Sequence, residues 1–165
     1  MSATPRLSLP FLSAGQAQKE FTHNEALQTL DFIAAAAVEE DPRADPPASP
    51  TIGSCYIVGP SPTGAWAGKS QFVAGYSAGG WRFIAPIEGM SAYVMTSGTW
   101  ANYRSGAWEI GTLRGSIVVI GGEQVVGGRN APISSPVGGT VIDGEARTAI
   151  DGILSALRDH GLIAV

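Results

Sequence analysis

The sequence predicts an α+β chain in which strand dominates: an N-terminal helix, a small antiparallel β module of hairpins, and a C-terminal β segment with a terminal helix, assembled as a trimer. Three observations lead there. Ten of the thirteen Phe, Trp and Tyr residues lie between Tyr56 and Trp108, and none follows Leu113. Within that aromatic stretch GYSAGGW (75–81) returns in altered form as NYRSGAW (102–108), the mark of two related hairpins. Apolar residues at three- and four-residue spacing appear only near the two ends of the chain.

Four regions follow: an N-terminal segment and helix (1–40), a proline-rich linker (41–50), an aromatic β module (51–111) and a C-terminal β segment with an oligomerisation helix (112–165). Thr22-His23-Asn24-Glu25 has capping-box spacing and predicts a helix start at Thr22. Leu27, Leu30, Ile33, Ala34 and Ala37 then form one apolar stripe to about Val38. Alanine favours helix but buries little area, so this helix is expected to lean on something else, another chain included. DPRADPPASP (41–50) holds four prolines in ten residues and is expected to be an extended connector, part of neither neighbour.

From Thr51 onward, short runs of Val, Ile, Tyr, Phe and Trp are broken by Gly, Ser and Pro. They predict strands at 54–58, 71–76, 81–85, 91–95, 99–103 and 108–110. Alternation places Phe72, Ala74 and Tyr76 on one face with Trp81, Phe83 and Ala85, and sets Tyr76 opposite Trp81. By the same count Tyr103 opposes Trp108, while Trp100 falls on the other face with Asn102 and Arg104. Further strands are expected at 116–120 and 124–126. In the terminal helix Asp143 is the N-cap and Gly161 the left-handed terminator. Ala146, Ile150, Ile153 and Leu157 recur at intervals of four, three and four, a coiled-coil seam that packs either on the β module or on copies of itself. Isoleucine at both seam positions favours a trimer over a dimer.

Composition narrows the function. A net charge of −4 without a basic cluster removes the electrostatic footprint of a nucleic-acid binder. No stretch approaches the ~18 apolar residues of a membrane helix, and the N-terminal apolar run is too short for a signal peptide, so a protein made in the cytoplasm without Sec-type export is expected. The lone Cys55 leaves no internal disulfide and, with His23 and His160 in separate helices, no metal or cofactor is expected. No nucleophile elbow or phosphate loop occurs. A glycosidase would need a carboxylate pair, for which the β module offers only Glu88 and Glu109; the expectation is that the protein is not an enzyme.

A binding role has more support. Sugar rings stack their C–H faces on flat aromatic side chains while uncharged polar neighbours supply hydrogen bonds. Trp66, in PSPTGAWAG, and Trp100, beside Asn102 and Arg104, are the residues off the hairpin core and free to do this; the other reading is that both pack on a neighbouring loop or subunit.

LPFLSAGQAQKEFTHNEAL (9–27), the proline connector, GSCYIVGPSPTGAWAGKSQFVAGYSAGGWRFIAP (53–86) and the segment from Trp100 to Trp108 together resemble a domain-of-unknown-function family. That family is found in tail-fibre and spike proteins of phages and of the gene transfer agents of alphaproteobacteria. QVVGGRNAPISSPVGGTVIDGEARTAIDGILSALRDHGLIA (124–164) resembles a C-terminal segment common in such virion proteins. The resemblance implies a spike or fibre on the virion surface that binds bacterial surface polysaccharide. It supplies no catalytic or binding residues. Residues 1–40, whose alanine-rich stripe buries little area, are expected to anchor the chain to other spike, capsid or tail proteins. A carbohydrate-binding module of an enzyme system and a purely structural capsid decoration remain the alternatives.

Overall fold

In a computed structural model, residues 3–12, 19–34 and 36–164 are described, and the chain divides into two units, Met1–Thr112 and Leu113–Val165. Among the described residues the first unit carries a helix, α1 (Lys19–Ile33), and seven strands: β1 (Ala37–Val38), β2 (Cys55–Ile57), β3 (Val73–Ser77), β4 (Gly80–Ile84), β5 (Ser91–Val94), β6 (Thr99–Arg104) and β7 (Ala107–Ile110). They form a four-stranded sheet ordered β1-β5-β6-β7 and a three-stranded sheet ordered β2-β3-β4. The α+β class is as expected, and each anticipated strand of the β module lies within two residues of its position. The strand β1 and its parallel pairing with β5 were not anticipated.

The three-stranded sheet serves two cores because its residues alternate. Cys55 and Ile57 of β2 join Phe32, Val38, Ala92, Val94 and Ala101 in a core shared with the four-stranded sheet and α1. Tyr56 and Val58 point the other way, into a second core with Trp66 and Ala74, bordered by Trp81 and Phe83. Each strand residue thus buries against whichever layer its parity dictates.

The two hairpins close as alternation predicts. Tyr76 faces Trp81 with ring centroids 4.9 Å apart, and Tyr103 faces Trp108 at 5.4 Å. The expected four-residue loops tighten to two-residue connections, Ala78-Gly79 and Ser105-Gly106. Ser105 and Gly106 both take positive φ (51° and 86°), the geometry that matches the strand twist in a tight hairpin.

The N-terminal helix departs from the sequence expectation at both ends. It is already formed at Lys19, so Thr22 is not its cap, and Glu25 instead makes a two-pronged ion pair with Arg82 of β4 (2.8 and 2.9 Å). It stops at Ile33, and Ala37 and Val38 become β1. Its buried residues are Asp31 and Phe32, whereas Leu30 of the expected stripe is half exposed. Asp31 is fully buried and accepts hydrogen bonds from Thr4 Oγ1 (2.7 Å), the Arg6 amide (3.0 Å) and the Leu7 amide (2.5 Å). A buried carboxylate is tolerated when donors surround it in this way. With the alanines at 34–37 outside it, this helix holds one alanine, and Asp31, Phe32 and Glu25 tie it to its own chain.

The proline-rich stretch is extended but not detached. The Arg43 amide donates to Ile57 O (3.2 Å), the Gly59 amide donates to Arg43 O (2.7 Å), and the Thr63 amide donates to Ala44 O (3.1 Å). Prolines at 42, 46, 47 and 50 lack N–H groups, and the residues between them supply the pairing. Residues 41–50 belong to the same compact unit as α1 and the sheets.

In the second unit, β8 (Val118–Ile120) and β9 (Glu123–Val126) form an antiparallel hairpin, and α2 (Gly144–Asp159) follows an extended stretch. The Asp143 carboxylate accepts from the Ala146 amide (2.9 Å), the N-cap bond expected of it. Gly161 takes φ +68°, its amide donates to Arg158 O (2.9 Å), and the Leu162 amide donates to Leu157 O (2.9 Å). These two bonds are those of a Schellman ending, as the sequence predicts. Among the described residues no helix is long and apolar enough to cross a membrane.

Candidate functional site

The outward face of the four-stranded sheet is built by parity. Ala92, Val94 and Ala101 are buried inward, so Ser91 and Tyr93 of β5, and Trp100, Asn102 and Arg104 of β6, point outward. The antiparallel register sets Tyr93 opposite Trp100, Ser91 opposite Asn102, and Asn102 opposite Glu109 of β7. Trp100 is 52% exposed and Tyr93 36%, large values for aromatic residues in the middle of paired strands. Their ring centroids lie 5.6 Å apart at an interplanar angle of 69°, an edge-to-face pair that fixes both rings and leaves the Trp100 surface open.

Polar groups flank this corner. Ser91 Oγ donates to Asn102 Oδ1 (2.7 Å), which orients the amide and commits its oxygen. Among the described residues no acceptor takes the Asn102 Nδ2 hydrogens. Arg104 is exposed at the end of the same row. The result is a shallow surface with a rigid aromatic pair, an oriented amide donor and a cation in line along one strand. Such a surface stacks against an apolar ring face and donates hydrogen bonds to hydroxyl or carboxylate oxygens.

The expectation that Trp66 faces outward is overturned. Trp66 ends a short 3-10 turn (Gly64–Trp66) and is fully buried, with Trp81 5.0 Å and Tyr56 5.6 Å away between ring centroids. Alternation says nothing about a side chain leaving a turn, and the glycines flanking it suggested a surface loop. Its Nε1 makes no hydrogen bond among the described residues. Tyr93 and Ser91, by contrast, were missed; counting by twos along Ser91, Tyr93 and Met95, with the register to β6, finds them.

The seam residues of α2 belong to the second unit. Ala146, Ile150 and Ile153 are exposed, and Leu157 is half buried. The residue that α2 buries is Leu154, which lies off the seam.

Other chemistry is structural. Glu88 accepts from the Ser105 amide (2.8 Å) and so holds the β6–β7 turn. A shallow groove lined by Glu40, Asp41, Arg43, Asp45 and Thr96 has its cation occupied, since Arg43 donates to Glu40 Oε1 and to Asp45 O, both at 2.6 Å. Cys55 is buried, and desolvation pushes its thiol up to about 12, against the opposing pull of the Arg6 guanidinium 3.4 Å away. A thiol held protonated in this way is not a nucleophile. Among the described residues no group of three or more His, Cys, Asp or Glu side chains is placed to hold a metal ion.

A family profile described as "Protein of unknown function (DUF2793)" matches residues 23–109. The chain belongs to this family. The matched region runs from α1 into β7 and covers just over half of the chain, taking in the proline-rich stretch, both cores and the Tyr93–Trp100 corner. The second unit lies outside it. No curated protein matches the sequence.

Proposed function

We propose that this protein is a non-enzymatic attachment protein of a virus-like particle, a phage or gene transfer agent spike or fibre, that binds bacterial surface polysaccharide through the outward face of β5 and β6. The observation that carries the reading is the half-exposed Trp100, held edge-to-face by Tyr93 and lined up with Asn102 and Arg104. A shallow sheet face suits a polymer lying across it, whereas an enclosed small molecule would call for a concave pocket. The virion setting rests on the resemblance of residues 9–27, 53–86, 100–108 and 124–164 to spike and fibre proteins.

Attachment to the particle runs through the N-terminal region. Phe21 of α1 is 72% exposed and Leu12, hydrogen-bonded to Asn24 of the same helix, is 42% exposed, and these apolar side chains offer a contact to another virion protein. A carbohydrate-binding module of an enzyme system would use the same aromatic face, and a capsid decoration would use none of it.

An array of bacterial surface polysaccharides, probed with the wild type, Trp100→Ala and Trp66→Ala, tests the reading. The wild type binds a subset of glycans, Trp100→Ala loses them, and folded Trp66→Ala keeps them. No binding by the wild type favours decoration and ends the proposal; binding unaffected by Trp100→Ala removes this face from it.

A further inference from the structure

The second unit has almost no interior of its own. From Leu113 onward, the buried apolar residues among those described are Leu154 and Ile163, while fourteen large apolar residues are exposed. Weighted by their exposures, these leave on the order of 1,500 Å² uncovered in each chain, well above the ~800 Å² each partner commits to a standard-size interface. A free domain of this length must bury about 60% of its unfolded surface, and Leu154 and Ile163 are the apolar residues this unit buries among those described.

The uncovered residues are ordered along the elements. In the β8–β9 hairpin Val118 and Ile120 alternate with Val119, and Val125 and Val126 are adjacent, so both faces of the ribbon are apolar and exposed. A lone two-stranded hairpin is marginal in water, and one that is apolar on both faces needs cover on both. Helix α2 is already engaged by one flank: Arg147 donates to Gly138 O, Arg158 Nη2 donates to Ile133 O (2.5 Å), and Leu154 between them is buried. Ile150, one turn before Leu154 on the same side of the helix, and Ile153 on the adjoining side remain 43% and 60% exposed. Val137 and Val141, in the stretch leading to α2, are each 89% exposed.

We infer that residues 113–164 form an intertwined threefold assembly with two further copies of this chain, in which both faces of the β8–β9 hairpin and the Ile150–Ile153 flank of α2 are buried together. The occupant is a copy of the chain because the surface to be covered runs through hairpin, extended stretch and helix alike, and an identical unit alongside matches it element for element. Three copies, not two, cover a ribbon that is apolar on both sides, one face toward the axis and one toward a neighbour. Isoleucine at both seam types of α2, Ile150 and Ile153, favours more than two strands. The helix seam was foreseen in the sequence; the larger share of the surface, in the hairpin and the extended stretch, was not. The inference stands whether or not the Trp100 face binds glycan. Where it does, three faces on one assembly raise avidity without any new contact.

Analytical ultracentrifugation of the full chain tests this. The 17.0 kDa chain is expected to sediment at three times its mass at micromolar concentration, and I150E/I153E and V119D each at one mass. The aromatic residues all precede Leu113, so near-ultraviolet circular dichroism reports the first unit alone and is expected to be unchanged in both variants. A monomeric or dimeric wild type overturns the inference, the former meaning that the apolar surface is covered within the chain. A trimer that survives both variants also overturns it, since these surfaces would not be its interface. Loss of glycan binding without loss of the threefold mass would bear on the Trp100 face alone.

Discussion

Phe32 of α1 occupies the space that a side chain at position 75 of β3 would take: a Cβ built on Gly75 falls 2.6 Å from Cγ and Cδ2 of the ring. The glycine is therefore a packing requirement that lets a helix residue reach the core between the sheets. Gly75→Ala is expected to lower the unfolding free energy by roughly 1–3 kcal/mol through overpacking, and Phe32→Ala by about 3–5 kcal/mol through the cavity it leaves. In the Phe32→Ala background, Gly75→Ala becomes nearly neutral. Urea denaturation of the four proteins of this cycle checks the coupling, and strictly additive effects would contradict it.

Trp66 is expected to matter for stability and not for ligand. It fills the second core with Tyr56 and Trp81, so Trp66→Ala costs about 3–5 kcal/mol. Trp66→Phe keeps most of the volume and costs less. Thermal melts monitored by near-ultraviolet circular dichroism give the ranking, and a melt of Trp66→Ala unchanged from the wild type would contradict the buried placement.

Cys55 makes a pH-dependent contribution whose sign follows from its raised value. The folded thiol titrates at about 12 against 9.0 for the unconstrained group, so the folded state holds its proton where the unfolded chain has lost it. That stability is fully present below pH 9 and is lost as pH rises from there toward 12, with a limiting slope of about 1.4 kcal/mol per pH unit. Stability curves of the wild type and Cys55→Ala between pH 8 and 11 are expected to converge as pH rises, because the variant lacks this loss. Parallel curves would contradict it. The same burial predicts that a thiol reagent modifies Cys55 only after unfolding.

How much of this was legible depends on whether the cause is local. The Asp143 cap, the Gly161 ending and the Tyr76–Trp81 and Tyr103–Trp108 pairs depend on residues a few positions apart, and periodicity finds them. The parallel pairing of Ala37 and Val38 with Tyr93 and Val94 joins residues more than fifty positions apart, and a two-residue strand leaves no alternation to read. The burial of Asp31 was not legible, because its donors, Thr4, Arg6 and Leu7, come from a separate segment. Proline content correctly marked 41–50 as extended, but composition does not record that Arg43 hydrogen-bonds across to Ile57 and Gly59. At the candidate site the outward parity of Trp100, Asn102 and Arg104 was readable along one strand. Tyr93 required the register between two strands, and the burial of Trp66 required the fold.

Trp100 is the most exposed tryptophan of the four, which makes it an optical reporter of its own surface. Tryptophan emission followed during titration with a polysaccharide that binds on the array is the most direct measurement. The expected result is a saturable blue shift with protection from acrylamide quenching, both absent in Trp100→Ala, whose melting temperature stays within a few degrees of the wild type because the exposed Tyr93–Trp100 pair contributes only about 0.2–1 kcal/mol. Binding that leaves the wild-type emission unchanged, or a shift that persists in Trp100→Ala, would contradict the assignment of this face to glycan.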